Sequence, residues 1–135
     1  MRPIVRQLRL WGPAIAYMAV IFIESSMSDA PLPSRVNDKV AHAGGYALLG
    51  VLCARALAGG FAVPLTLPRV VAAVVIAALY GASDEWHQAF VPGRSSDIRD
   101  WYADVIGASV GAGLVWACGI IWPRVGARRA SSHEP

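Results

Sequence analysis

Three short runs hold most of the side chains able to do chemistry. Asp38, His42 and Tyr46 recur at i, i+4 and i+8, the spacing that stacks side chains on one helical face. Asp84, His87 and Gln88 form an i, i+3, i+4 set with Glu85 alongside. Asp97, Asp100, Trp101 and Asp104 follow at i, i+3, i+4 and i+7. A histidine beside a carboxylate can take up and return a proton, and paired carboxylates can hold one between them. The expected catalytic set is His42, Asp84, Glu85 and His87. The expected binding set is Asp38, Lys39, Tyr46, Gln88, Arg94, Asp97, Asp100 and Asp104. Lys39 and Arg94 would hold an anion, Arg94 through its planar fork. A hard divalent cation on Asp84, Glu85, Asp100 and Asp104 is a subsidiary expectation, and no other cofactor is expected. Which of His42 and His87 faces inward is open at this level.

These runs must be positioned by helices that cross a membrane. Of the 135 residues 56% are hydrophobic and 16% charged, against about 25% charged in a typical soluble domain. So few charges would leave a soluble surface uncovered. Uncharged stretches cover 10–23, 40–54, 70–83 and 105–123. A span needs about 20 residues, so the first three must carry polar or charged groups into the bilayer. The expected fold is all-α, an integral membrane four-helix bundle with helices over about 9–25, 38–58, 68–90 and 98–122. Pro31 and Pro33, then Gly59, Gly60 and Pro64, then Pro92 and Gly93 punctuate the connections. One domain is expected over 1–123, followed by a polar, frayed cytoplasmic tail over 124–135.

The arginines set the direction. With the N-terminus cytoplasmic, the inner side holds Arg2, Arg6, Arg9, Arg55, Arg69, Arg124, Arg128 and Arg129, eight of the twelve basic residues. The outer side holds Arg35, Lys39, Arg94 and Arg99, together with eight of the nine acids. That satisfies the positive-inside rule and puts both termini in the cytoplasm. The expected location is the bacterial inner membrane, multi-pass. An alternative reading takes residues 1–30 as a signal peptide; Glu24 and the Pro-rich turn favour an uncleaved first helix. The net charge of +3 has no basic, aromatic-interleaved stripe behind it, so nucleic acid is not an expected partner. Cys53 and Cys118 sit in apolar runs without metal-ligand spacing and are expected to be packing residues. The bilayer is the expected partner, with a lipid-linked envelope ligand beside it; the oligomeric state is not legible.

Counting a helical rise of about 1.5 Å per residue from the inner ends places Glu24, His42, Asp84 and Glu85 about 21–24 Å up. Asp38, His87, Gln88 and Asp104 fall in a second layer near 27 Å. Ionisable groups at such depth should face the bundle interior or a wet cavity. Small residues should let the helices approach. The second helix offers Ala41, Ala43, Gly44, Gly45, Ala47 and Gly50, and the fourth offers Gly107-x-x-x-Gly111 and Ser109-x-x-x-Gly113. Trp11, Trp101, Trp116 and Trp122 read as interfacial anchors, Trp86 as anchor or pocket wall, and Tyr80 as packing.

The run Asp38-Lys39-x-x-His42-x-x-x-Tyr46, then Asp84-Glu85-x-x-Gln88, then Pro92-Gly93-Arg94 with Asp97 and Asp100, resembles the VanZ-like family over about residues 9–122. One departure is Asp104, where many members carry Asn. The resemblance implies a membrane location and a cell-envelope role, since founding members are associated with resistance to the glycopeptide teicoplanin. It implies no settled reaction. The expected function is therefore a VanZ-like envelope protein with a polar pocket at the external side, with an effect on teicoplanin susceptibility. The alternative is a membrane-embedded enzyme acting on a lipid-linked or phosphorylated head group in the outer leaflet. Transport is disfavoured, because the inner half of every helix is apolar.

Overall fold

The computed structural model describes residues 3–28, 38–60 and 63–131, with side chains described as far as Gly119. These residues form four helices: α1 (Pro3–Ser25), α2 (Asp38–Ala58), α3 (Leu67–Gln88) and α4 (Ile98–Ser131). All four are long and apolar enough to cross a membrane, α4 through its stretch Ile98–Gly119. No strand occurs among the described residues. The expected all-α membrane bundle is the observed architecture. The Pro31–Pro33 connection lies outside the described residues.

Local chemistry explains the helix ends. α2 stops at Gly59 and Gly60, both at positive φ. Gly60 N–H bonds the Arg55 carbonyl at 3.0 Å and Gly59 N–H that of Ala56 at 3.2 Å, the paired bonds of a Schellman cap. α3 starts after an extended Thr66, with Pro68 in its first turn, where a missing N–H costs nothing. Val91-Pro92-Gly93-Arg94 closes with Arg94 N–H on the Val91 carbonyl at 3.1 Å, and Gly93 takes φ +81°. Proline followed by a positive-φ glycine is the type II turn pattern.

Two helices outrun their expected limits. α1 begins at Pro3 instead of residue 9, and α4 continues to Ser131 through the segment expected to be frayed. Loss of apolar character ends a membrane span, but it does not end a helix. Arginine, glutamine, leucine and alanine are good helix formers; Arg6, Gln7 and Leu8 lie in the extra turn of α1, and Ala127, Arg128, Arg129 and Ala130 in that of α4.

The interior is made of small residues and the exterior of large ones. Ala14, Ala73, Ala77, Ala108 and Ala112 are fully buried, while Val40, Leu79 and Ile106 are each more than 60% exposed. A water-soluble bundle would bury the large aliphatics; this one presents them to lipid. α2 and α4 run parallel and make the most extensive contact in the bundle. A methyl group on Gly107 or Gly111 would overlap the carbonyl of Ala43 or Ala47, and one on Gly50 would overlap that of Ala108. The Gly107–Gly111 pattern is therefore the α2–α4 seam. The Ser109–Gly113 pattern is not part of it: Ser109 is exposed, and nothing lies within 4 Å of a methyl built on Gly113. Both pairs have the same i, i+4 spacing, yet only one pair turns toward α2.

α3 packs on both α2 and α4, whereas α1 packs on α2, touches α3 lightly and does not reach α4 among the described residues. Pro13 sits inside α1 and removes the N–H that would bond the Arg9 carbonyl. Arg55 of α2 reaches that carbonyl with both terminal nitrogens at 3.4 Å and the Leu10 carbonyl at 3.1 Å. Midway along, Tyr80 donates to the Met18 carbonyl at 2.5 Å, so Tyr80 ties two helices as well as packing.

Candidate functional site

Charged side chains gather where α1 ends, α2 begins, α3 ends and α4 begins. Asp97 caps α4, its Oδ1 accepting the Arg99 N–H at 2.9 Å. That N–H and the Lys39 ammonium hold its carboxyl below the ordinary value of 3.8. Lys39 donates to Asp97 Oδ2 at 2.9 Å and also to Asp100, so one ammonium ties the start of α2 to the start of α4.

Deeper in the bundle the partners become sparse. His42 Nδ1 lies 2.9 Å from Asp104 Oδ1; with Asp104 ionised, the ring N–H donates to it. Asp104 is wholly buried. Gln88 donates to Asp84 Oδ2 at 3.1 Å. Glu85 Oε2 accepts the Ser96 hydroxyl at 3.1 Å and the Asp97 N–H at 2.9 Å, so it anchors the turn before α4. Each of the three carboxylates keeps a second oxygen that is buried and unpartnered: Asp84 Oδ1, Glu85 Oε1 and Asp104 Oδ2. The Tyr46 hydroxyl is a fourth such atom, within electrostatic range of all three. Gly81 makes room for the group. A methyl there would lie 3.0 Å from Asp104 Oδ2 and 3.2 Å from Tyr46 Cε1.

A cleft of about 120 Å³ opens beside this cluster. α1 supplies Tyr17, Ile21, Glu24 and Ser25 to it, α2 supplies Asp38, His42 and Tyr46, and the turn supplies Arg94. Arg94 makes no ion pair among the described residues. His42 thus touches both the cleft and the buried carboxylates.

The structure brings together Lys39, His42, Tyr46, Asp84, Glu85, Gln88, Asp97, Asp100 and Asp104. Asp38 and Arg94 stand on the cleft wall. His87 is set apart: its ring lies against Phe22 with centroids 4.5 Å apart, and Nε2 is 3.0 Å from Ser26 Oγ. Of the two histidines, His42 is the one that meets the carboxylates. Depth counting put Asp104 a layer above His42, but the two are paired. The count starts from the expected inner end of the fourth helix at residue 122, which is an internal position of a helix that continues to Ser131. Trp101 also differs from an interfacial anchor, because its indole N–H bonds the Ala78 carbonyl of α3 at 2.9 Å. Trp86 is 71% exposed and edge-on to Phe90, outside the cluster. Sequence reasoning missed Ser96, Gly81 and Tyr17. Only Gly81 carried a signal, as a glycine within a helix one turn before Asp84 and Glu85.

A small-residue interior, a lipid-facing aliphatic exterior and a polar cluster at one end define a multi-pass membrane protein with a partly buried ionisable centre. The VanZ/LLP1 family model matches residues 10–121, and the chain belongs to that family. No curated protein and no solved structure gives a significant match.

Proposed function

We propose that this chain acts at the bacterial cell envelope from the inner membrane, with both termini cytoplasmic and the cleft open to the external side. There it receives the head group of a lipid-linked or phosphorylated envelope component. The observation that carries this reading is the cleft wall, where Arg94 lines the same cleft as His42 and makes no ion pair among the described residues. Its guanidinium suits a phosphate or pyrophosphate oxygen pair. Glu24 and Asp38 on the same wall suit hydroxyl or ammonium groups of the head group. Retention or alteration of such a component would change the outer surface that a glycopeptide meets, and with it teicoplanin susceptibility.

A comparison of envelope lipids by mass spectrometry, with and without the protein, tests the reading. One class of phosphorylated or lipid-linked species should change, and Arg94→Gln should abolish the change at unaltered membrane abundance. An identical lipid profile in both strains, with susceptibility also unchanged, overturns it.

One observation favours an enzyme. A buried carboxylate orients the His42 ring, which also borders the cleft, an arrangement suited to general acid–base chemistry. On that reading His42→Ala abolishes turnover of a lipid phosphate or lipid-linked precursor while the protein stays in the membrane. No turnover across a panel of such lipids, with and without Mg²⁺, rejects it.

A further inference from the structure

The unpartnered oxygens are harder to explain than the cleft. Lys39 is committed to Asp97 and Asp100. His42 contacts Asp104, but no cation contacts Asp84 or Glu85 among the described residues. Both are more than nine-tenths buried, and each leaves an oxygen without a donor. Uncompensated charge in so dry a place costs several kcal/mol.

We propose that His42, Glu85 and Asp104 bind a divalent transition-metal ion such as Zn²⁺ or Mn²⁺. One donor atom from each lies within 4.8 Å of the others. Two donors about 2.1 Å from one ion are about 3 Å apart at the right angle of octahedral coordination and about 3.4 Å apart at the tetrahedral angle that zinc favours. The His42 Nδ1 and Asp104 Oδ1 that share a hydrogen bond at 2.9 Å are already near the octahedral spacing, and the ion would take the place of the Nδ1 proton. Glu85 spends Oε2 on the turn before α4, which leaves Oε1 for the ion. Two carboxylates and a neutral imidazole then balance the ion's charge. The Tyr46 hydroxyl, buried without a partner and within electrostatic range of Glu85 and Asp104, is a polar group beside it. One nitrogen among oxygen donors favours a borderline ion over Mg²⁺ or Ca²⁺, which prefer oxygen alone. The set differs from the all-carboxylate one expected from sequence, because Asp100 is taken by Lys39 and His42 has its place.

A second trio, Asp38, His42 and Asp100, also lies within 4.8 Å. Asp38 is exposed and Asp100 is tied to Lys39, so neither offers a buried free oxygen.

Protein purified in detergent, stripped with chelator and dialysed, is titrated with Zn²⁺ and Mn²⁺, and with Mg²⁺ and Ca²⁺ for comparison, without lipid ligand. Bound metal is counted by plasma mass spectrometry, and thermal unfolding is followed in parallel. One ion per chain should bind and raise Tm. His42→Ala and Glu85→Gln should each weaken binding on the order of 100-fold or more, and Asp38→Asn should leave it intact. Asp104→Asn keeps the shape of the buried carboxylate and serves in place of Asp104→Ala if that variant does not fold. Failure of folded wild-type protein to bind either ion overturns the proposal, as does preference for Mg²⁺ or Ca²⁺. Binding that survives Glu85→Gln but is lost with Asp38→Asn overturns the location. Head-group recognition plays no part in the readout, so the two readings fail separately.

Discussion

At the scale of single residues, the cluster depends on a hydrogen atom at position 81. The two groups nearest to an added methyl, Asp104 and Tyr46, are both buried and have little room to yield. Gly81→Ala should therefore destabilise the bundle by about 1–3 kcal/mol, the usual cost of overpacking, measured by denaturant unfolding in detergent. An unchanged midpoint would mean that Asp104 moves freely. His42 and His87 show what sequence can and cannot resolve at this scale. Both lie within a turn of a carboxylate, so type and spacing rank them equally. The difference is made by Phe22 of α1 and Ser26 just after it, which take up the ring of His87 from more than sixty residues away. Ser96 was invisible for a similar reason: a serine in a polar turn has no spacing that announces a buried partner.

At the scale of elements, the α2–α4 seam and the α4 cap each make a prediction. Gly111→Val would drive a side chain into the Ala47 carbonyl and should cost about 1–3 kcal/mol or more. Gly113→Val meets open space and should lose far less. Equal losses would show that the helix backbone, and not the seam, sets the cost. The cap predicts a pH response. Asp97 has a lowered pKa, so its contribution is complete above 3.8 and disappears as pH falls through the lower folded value. Asp97→Asn should remove the part of the stability loss that wild type shows below pH 3.8, read as Tm against pH. Four spans, their order and one small-residue seam were legible, because lipid demands long apolar runs and close backbones. The exact helix ends were not, since charge marks the edge of the membrane and says little about the backbone.

At the scale of the molecule, the proposed orientation rests on eight basic residues on one side against four on the other. Reporter fusions after Arg9 and after residue 135 should both read as cytoplasmic, and one inserted after Ser28 as external; the opposite pattern would put the cleft on the wrong face for an outer-leaflet lipid. The convergence of polar groups from several helices at one end was also legible, from depth and facing together. Their pairing was not, because an error of one turn in any helix reference separates residues that touch.

α1 is the loosest of the four helices, yet it supplies one wall of the cleft. Its axial height is held midway by Tyr80 on the Met18 carbonyl and at the far end by Arg55, which grips the carbonyl that Pro13 leaves unserved. From Leu10 to Glu24 is about 21 Å of helix, so that grip acts like the clamp on a sliding rule: slip at the clamp shifts the scale at the reading edge. Arg55→Gln should let Glu24 ride up or down against His42 without touching the cleft. In a Cys118→Ala background, thiol labelling of Glu24→Cys should change rate when Arg55 is replaced. An arginine at one face of the membrane thus calibrates the aperture at the other.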